Sequence, residues 1–191
     1  MHKSSRKVWA GALTTGVIAV LGATIIAAPS AAAKGQAAPA EIKMVFADGP
    51  PLFEGAESIE AGEELKIINK TKPQEIGPHF FSLVEEGSLP TTKKKNKKCA
   101  KLELPVCVNI ANAHRVSKRL VVRKRSVDKG ADGWDTSFTK EVKGDSWFTD
   151  QKNESETRVV SPEVAGSTLH YFCLIHPDTM RGQIQVETLE R

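Results

Sequence analysis

The sequence predicts an all-β fold, an antiparallel β-sandwich carrying one long insertion. Short runs alternating apolar with polar residues, such as Ile42/Met44 and Ile184/Val186, are separated by turn residues such as Asp48-Gly-Pro-Pro51. That pattern marks strands buried on one face and solvated on the other. No internal repeat or nucleotide-binding glycine motif interrupts them. A stretch dense in lysine and arginine separates the early strands from the last ones and marks the insertion.

At the N-terminus, Lys3, Arg6 and Lys7 precede a charge-free stretch from Val8 to Ala33 that ends Ala31-Ala-Ala33. A basic start, an apolar centre and small exit residues are the parts of a secretory signal, and the Ala-x-Ala exit favours cleavage. Retained, the same stretch is long enough for a membrane anchor, since about twenty apolar residues span a bilayer. Residues 1–33 are therefore read as signal peptide or anchor, 34–40 as a flexible leader and 41–191 as one domain with its insertion at about 88–144. Either version puts the domain outside the cytoplasm, in an extracellular, periplasmic or cell-envelope setting.

Within the domain the strand signals run Ile42/Met44/Phe46, Leu65/Ile67, His79/Phe81/Leu83, Val159, Leu169/Tyr171/Cys173 and Ile184/Val186. Trp134 and Trp147 are expected as core or turn anchors, because large aromatics dominate packing in small domains.

The segment Tyr171-Phe-Cys-Leu-Ile-His-Pro-Asp-Thr-Met180 puts a thiolate, an imidazole and a thioether on one short loop. Thiolate and thioether sulfur favour Cu(I), while imidazole accommodates both oxidation states. Two His, one Cys and a weak axial Met therefore suit reversible one-electron transfer. The loop supplies one His, so a second must come from elsewhere. Strand alternation puts Leu169, Tyr171 and Cys173 on one face and His170 and Phe172 on the other, which excludes His170 as a partner of Cys173. The same parity turns His79 inward with Phe81 and Leu83, and Pro177 biases His176 toward an extended backbone. Taken singly, a buried Cys ending a strand is a small hydrophobe, a His before Pro is a loop residue and a Met near a strand start is core. Together they point to a metal. Zinc is the alternative ion, but it takes four firm N, S or O ligands and Met is a poor one.

On Ile76-Gly-Pro-His-Phe-Phe-Ser-Leu-Val84 and this C-terminal loop, the chain resembles the cupredoxins, the plastocyanin and amicyanin type of blue copper protein. The resemblance covers roughly Glu41 to Val84 and Asp145 to Glu187. It implies a Greek-key sandwich holding one copper ion of the type 1 class, with His79, Cys173, His176 and Met180 as ligands. Three residues separate His176 from Met180, a spacing between the amicyanin and plastocyanin patterns, and the interval from His79 to Cys173 is longer than in the small cupredoxins.

Three cysteines in an exported chain leave one unpaired. Cys99 and Cys107 lie close in sequence, so their pairing leaves Cys173 for metal. A Cys107–Cys173 bridge would remove the thiolate. Between Lys93 and Arg125 there are twelve Lys or Arg residues against the single acid Glu103, in a chain of formal charge +4, so the remainder is net acidic. Such a field steers association with an acidic partner and is weakened by salt. The competing reading is a solvated loop. The export signal and the absence of aromatics within the run disfavour nucleic acid, whereas an acidic membrane surface or cell-envelope polymer remains open. His114, in Asn109-Ile-Ala-Asn-Ala-His-Arg115, is expected as an ordinary surface His on a short helix.

The resemblance implies an electron carrier between redox partner proteins and no enzymatic activity. A non-redox copper-binding or storage protein is one alternative, although storage favours more Met than Met44 and Met180. A metal-free cupredoxin-like binding module is the other. A multicopper oxidase needs many more histidines than His79, His114, His170 and His176, and no Gly-x-Ser-x-Gly elbow supports a hydrolase.

Overall fold

Ile42 and Met44 are fully buried while their neighbours along the strand are half-buried, and Ile184 and Val186 alternate with exposed Gln183, Gln185 and Glu187. These two period-two stripes belong to opposite layers of a β-sandwich. The computed structural model describes residues 38–46, 48–117, 121–127, 133–135 and 145–188. The chain divides into units Met1–Gly35 and Gln36–Arg191. The expected signal or anchor segment 1–33 lies outside the described residues, and so does most of the leader.

One sheet holds β1 (Ala40–Val45), β2 (Leu52–Gly55), β4 (Glu64–Asn69) and β8 (Ser155–Val159) in the order β2-β1-β4-β8. The other holds β3 (Ser58–Glu60), β5 (His79–Val84), β6 (Ser126–Val127), β7 (Ser146–Thr149), β9 (Thr168–Phe172) and β10 (Arg181–Glu187) in the order β3-β10-β9-β5-β7-β6. The sandwich matches the expected fold class, but the antiparallel expectation is corrected, since β1 pairs with β4 and β3 with β10 in parallel. Parallel neighbours need long connections. Here β2 and β3 intervene in the first case and most of the domain in the second. Phe46, expected within the first strand, lies beyond its end and is 44% exposed.

Between the layers, Phe53 packs edge-on against Phe81 at 5.9 Å and Tyr171 at 5.1 Å, while Trp134 meets Phe81 at 5.3 Å. Trp134 and Trp147 are both buried, as expected. The indole N–H of Trp134 donates to the Leu65 carbonyl at 3.1 Å. The Arg158 guanidinium lies 4.0 Å from the centre of the Trp134 ring and pairs with Asp145 at 2.7 Å. Gly133 makes this fit possible. Its φ of +89° and a hypothetical Cβ only 2.1 Å from the Val159 carbonyl oxygen leave no room for a side chain.

All six residues of β5 are buried. His79, Phe81 and Leu83 share the face toward the sandwich interior; Phe80 and Ser82 on the other face are covered by the chain between β5 and β7. The short α1 (Pro73–Ile76) precedes β5, and the insertion after β5 holds α2 (Lys93–Ala100) and α3 (Pro105–Ala113). Thr92 caps α2 by accepting the Lys95 N–H at 3.2 Å, and the expected Cys99–Cys107 disulfide ties α2 to α3.

His114 caps α3 and, contrary to the surface position expected of it, is fully buried. Its Nδ1 lies 2.6 Å from the Lys124 carbonyl and its Nε2 2.8 Å from the Ser146 hydroxyl, which in turn is 2.6 Å from the Ser82 hydroxyl. A carbonyl only accepts, so Nδ1 carries the proton and Nε2 accepts from Ser146. Phe80 meets the imidazole edge-on at 4.9 Å. The histidine thereby pins the insertion to β7.

Burial pushes His114 from its ordinary 6.5 down to about 4, against the opposing pull of the Lys124 carbonyl. The unfolded chain therefore takes up a proton at this residue before the folded one does. Its contribution to stability is complete above about pH 6.5, declines as pH falls toward about 4 with a slope of up to about 1.4 kcal/mol per pH unit, and levels off below. Denaturant unfolding of metal-free wild type and His114→Gln across that range should show the steeper acid loss in the wild type. Equal slopes would mean that the imidazole titrates alike in both states.

Candidate metal centre

His79 opens β5, Cys173 immediately follows β9, and His176 lies in the turn that leads to β10. Pro73 starts α1 and Gly77 ends it at φ +86°, a left-handed conformation that suits glycine, so the chain turns sharply into Pro78 and His79. At the other end, the Cys173 N–H donates to the Met180 carbonyl at 2.8 Å and the Met180 N–H to the His176 carbonyl at 2.9 Å. Arg181 then pairs with Phe172 across β10 and β9. The loop is thus closed at its base by the ladder and internally by its own backbone.

One ligand atom each from His79, Cys173 and His176 lies within 4.8 Å of the other two. The Cys173 Sγ is 3.8 Å from His176 Nδ1, and the two imidazole centres are 5.1 Å apart. His79, Cys173 and Met180 are fully buried, whereas His176 is half-buried. His170 is not part of the cluster. It lies beside Glu85, Glu86 and Gln183 at a polar hollow, as its parity on β9 requires.

The polar atoms around His79 select one tautomer. Asn69 Oδ1 accepts both the Thr71 N–H at 2.9 Å and the Thr71 hydroxyl at 2.6 Å, which identifies that amide atom as the oxygen. With its proton committed to Asn69, the Thr71 oxygen accepts from His79 Nε2 at 2.9 Å. The amide of Asn69 is itself anchored to Thr149 Oγ1 at 3.3 Å and the Gln151 carbonyl at 3.1 Å. Nε2 therefore holds the proton, and Nδ1 is a bare lone pair. That Nδ1 is buried without a hydrogen-bond partner.

A buried orphan nitrogen carries a desolvation cost of about 1–3 kcal/mol. Metal coordination would remove it, so the donor set fits an ion. Burial pushes His79 down to about 4, with the neighbouring His176 contributing in the same direction. Burial likewise lowers His176, opposed by the Ile76 carbonyl and the Asp178 charge. It raises the Cys173 thiol, opposed by the backbone of Phe80, His176 and Ile175, and the Phe80 N–H donates to Sγ at 3.3 Å. Two neutral imidazoles and a sulfur aimed at by an amide donor form a site that favours a soft cation over a hard one.

Asn69 and Thr71 escaped sequence reasoning. Their signal lay in parity, because Leu65, Ile67, Asn69 and Thr71 continue one inward stripe that turns from apolar to polar as it reaches His79.

No family model matches the chain, and no curated protein matches it. Among solved structures it is similar to auracyanin A, a "blue" copper protein from the green thermophilic photosynthetic bacterium Chloroflexus aurantiacus, at 16% identity and a TM-score of 0.36, over 76% of this chain and 95% of that one. It is also similar to auracyanin B, at 14% identity and a TM-score of 0.41, over 76% of this chain and 86% of that one.

Proposed function

We propose that the protein is an exported, mononuclear type 1 copper protein that carries single electrons between redox partner proteins, with His79, Cys173, His176 and Met180 as ligands. The observation that carries this reading is the orphaned Nδ1 of His79, buried beside a free thiol and a second imidazole. Copper held there supplies a one-electron couple, for which thiolate, thioether and imidazole donors suit both oxidation states.

The chain's own residues do the rest. Thr71 and Asn69 hold the His79 ring in one tautomer, so the lone pair is presented without a proton to displace. Phe80 directs its N–H at the Cys173 sulfur, which favours the thiolate. Complete burial of His79, Cys173 and Met180 excludes water from three of the four proposed ligands, leaving half-buried His176 as the most exposed member. Backbone hydrogen bonds across the 173–180 loop resist rearrangement when the charge of the site changes.

The first test is the visible spectrum of copper-loaded protein. An intense thiolate-to-Cu(II) band is expected. Cys173→Ser should abolish it, and His170→Ala should leave it nearly intact. A colourless protein with Cu(II) demonstrably bound would overturn the assignment.

Met180→Gln exchanges a thioether for a harder oxygen donor, which should stabilise Cu(II) and lower the reduction potential while copper stays bound. Voltammetry showing an unchanged potential would reduce Met180 to a packing residue. Thr71→Val leaves the His79 Nε2–H without its acceptor and should weaken copper binding by about 10–100-fold, with Thr71→Ser restoring it. Competition titration against a copper chelator reads both variants, and equal affinity in Thr71→Val would show that the hydroxyl does not orient the ring.

A further inference from the structure

A cavity of about 360 Å³ opens between the ligand loop and the inserted helices. Pro78, Leu174 and Ile175 form one side of it, Leu102 and Val122 belong to the insertion, and Phe80 lines it from β5. The lining is almost wholly apolar. Pro78 adjoins His79, and Leu174 and Ile175 join Cys173 to His176, so one wall is the backbone between three proposed ligands. Ile175 is 40% exposed, so the apolar lining reaches solvent beside half-buried His176.

Around this apolar lining the flanking charge is mostly positive, with Glu103 beside Leu102 as the acid among it. Cys99 and Ala100 line the cavity and sit between exposed Lys98 and Lys101. Val116 and Val122, also lining it, are flanked by exposed Arg115 and Arg123. Among the described residues, none of these four cations forms a salt bridge, and Lys93, Lys94, Lys95 and Lys97 extend the positive field along α2.

We propose that this groove seats an apolar side chain of an acidic protein partner, which the surrounding lysines and arginines draw in. The identity of that partner as a redox protein rests on the electron-carrier reading; the groove and its charge do not. The cavity is large enough for one aromatic side chain, and its apolar walls make burial of a phenyl ring favourable by at least tenfold in affinity. One buried side chain cannot hold two proteins together for long. The field of the insertion instead raises the encounter rate, typically by 10–10³-fold, and salt suppresses it. Small interfaces and fast exchange are typical of transient electron-transfer complexes.

An acidic membrane is the poorer fit. Membrane-surface helices present an apolar stripe opposite their basic face, whereas the apolar side of α2 is reduced to Cys99, which is buried against the Leu174 carbonyl at 3.9 Å. The exposed positions of α2 are lysines and Ala100.

The test uses a short synthetic peptide with a central phenylalanine flanked by glutamates, a second peptide with alanine at the centre, and phosphatidylglycerol vesicles. Binding to the purified protein is followed by methyl chemical shifts at low and at high salt. The phenylalanine peptide should perturb Leu102, Val122 and Ile175, bind at least tenfold more tightly than the alanine peptide and weaken as salt rises. Lys97→Gln with Lys98→Gln and Lys101→Gln should flatten the salt dependence, and Val122→Glu should weaken binding tenfold or more at unchanged melting temperature. Equal binding of the two peptides, or perturbations confined to α2, would leave only a solvated basic helix. Vesicles that perturb the groove while the peptide does not would assign it to a membrane. Recording the visible spectrum of the same copper-loaded protein separates the two readings, since peptide binding by protein that holds Cu(II) without a blue band would sink the copper assignment and leave the groove standing.

Discussion

Strand β5 is buried on both faces, and the placement of the site depends on that constraint. A strand of a two-layer sandwich has a partner layer on one side only, so its outer face needs a second cover. The insertion supplies it where Phe80 and Ser82 point outward. Phe80 packs against His114 and against Phe148 at 4.9 Å in each case. The same strand delivers His79 to the inner face and aims the Phe80 N–H at the Cys173 sulfur. Fixing β5 from outside therefore also fixes one side of the candidate metal centre.

The insertion reaches this cover with a poor helix. An eight-residue helix is marginal alone, and the five lysines of α2 repel one another while only Cys99 is buried. The disulfide to Cys107 does what an apolar stripe does elsewhere. Closing so short a loop stabilises by roughly 2–3 kcal/mol on the chain-entropy estimate. It lets α2 keep its lysines in solvent while its one buried side chain touches the backbone of the ligand loop. A charged surface and a packed interface thus coexist on a helix too short to provide both through its own periodicity.

Period-two alternation and loop chemistry made much of this legible before the structure. The inward stripe of His79, Phe81 and Leu83, the outward turn of His170 and the pairing of Cys99 with Cys107 all follow from local pattern. What stayed hidden is non-local. Strands β2 and β3 are short pieces without a clear alternation, and β7 is buried at all four positions because the insertion covers it as well. The parallel pairs β1–β4 and β3–β10 depend on which strands the chain crossings bring together, which alternation along one strand does not encode. His114 looked superficial because its neighbours Arg115 and Asn112 are polar, yet its partner Ser146 lies far away in sequence.

The two buried histidines near β5 show what separates a structural imidazole from a candidate ligand. Burial pushes both down to about 4, so the shift alone does not distinguish them. Their hydrogen bonds do. His114 donates from Nδ1 to a carbonyl and accepts at Nε2 from a serine hydroxyl, so each ring nitrogen is satisfied and the residue works as a tether. His79 donates from Nε2 to a threonine already committed to Asn69, and nothing in the described structure meets its Nδ1. A fold that needed only a tether had serine and carbonyl partners within reach, as His114 shows. Leaving one buried lone pair open beside a free thiol is unfavourable unless something binds there, and a soft cation is the partner that this donor set suits.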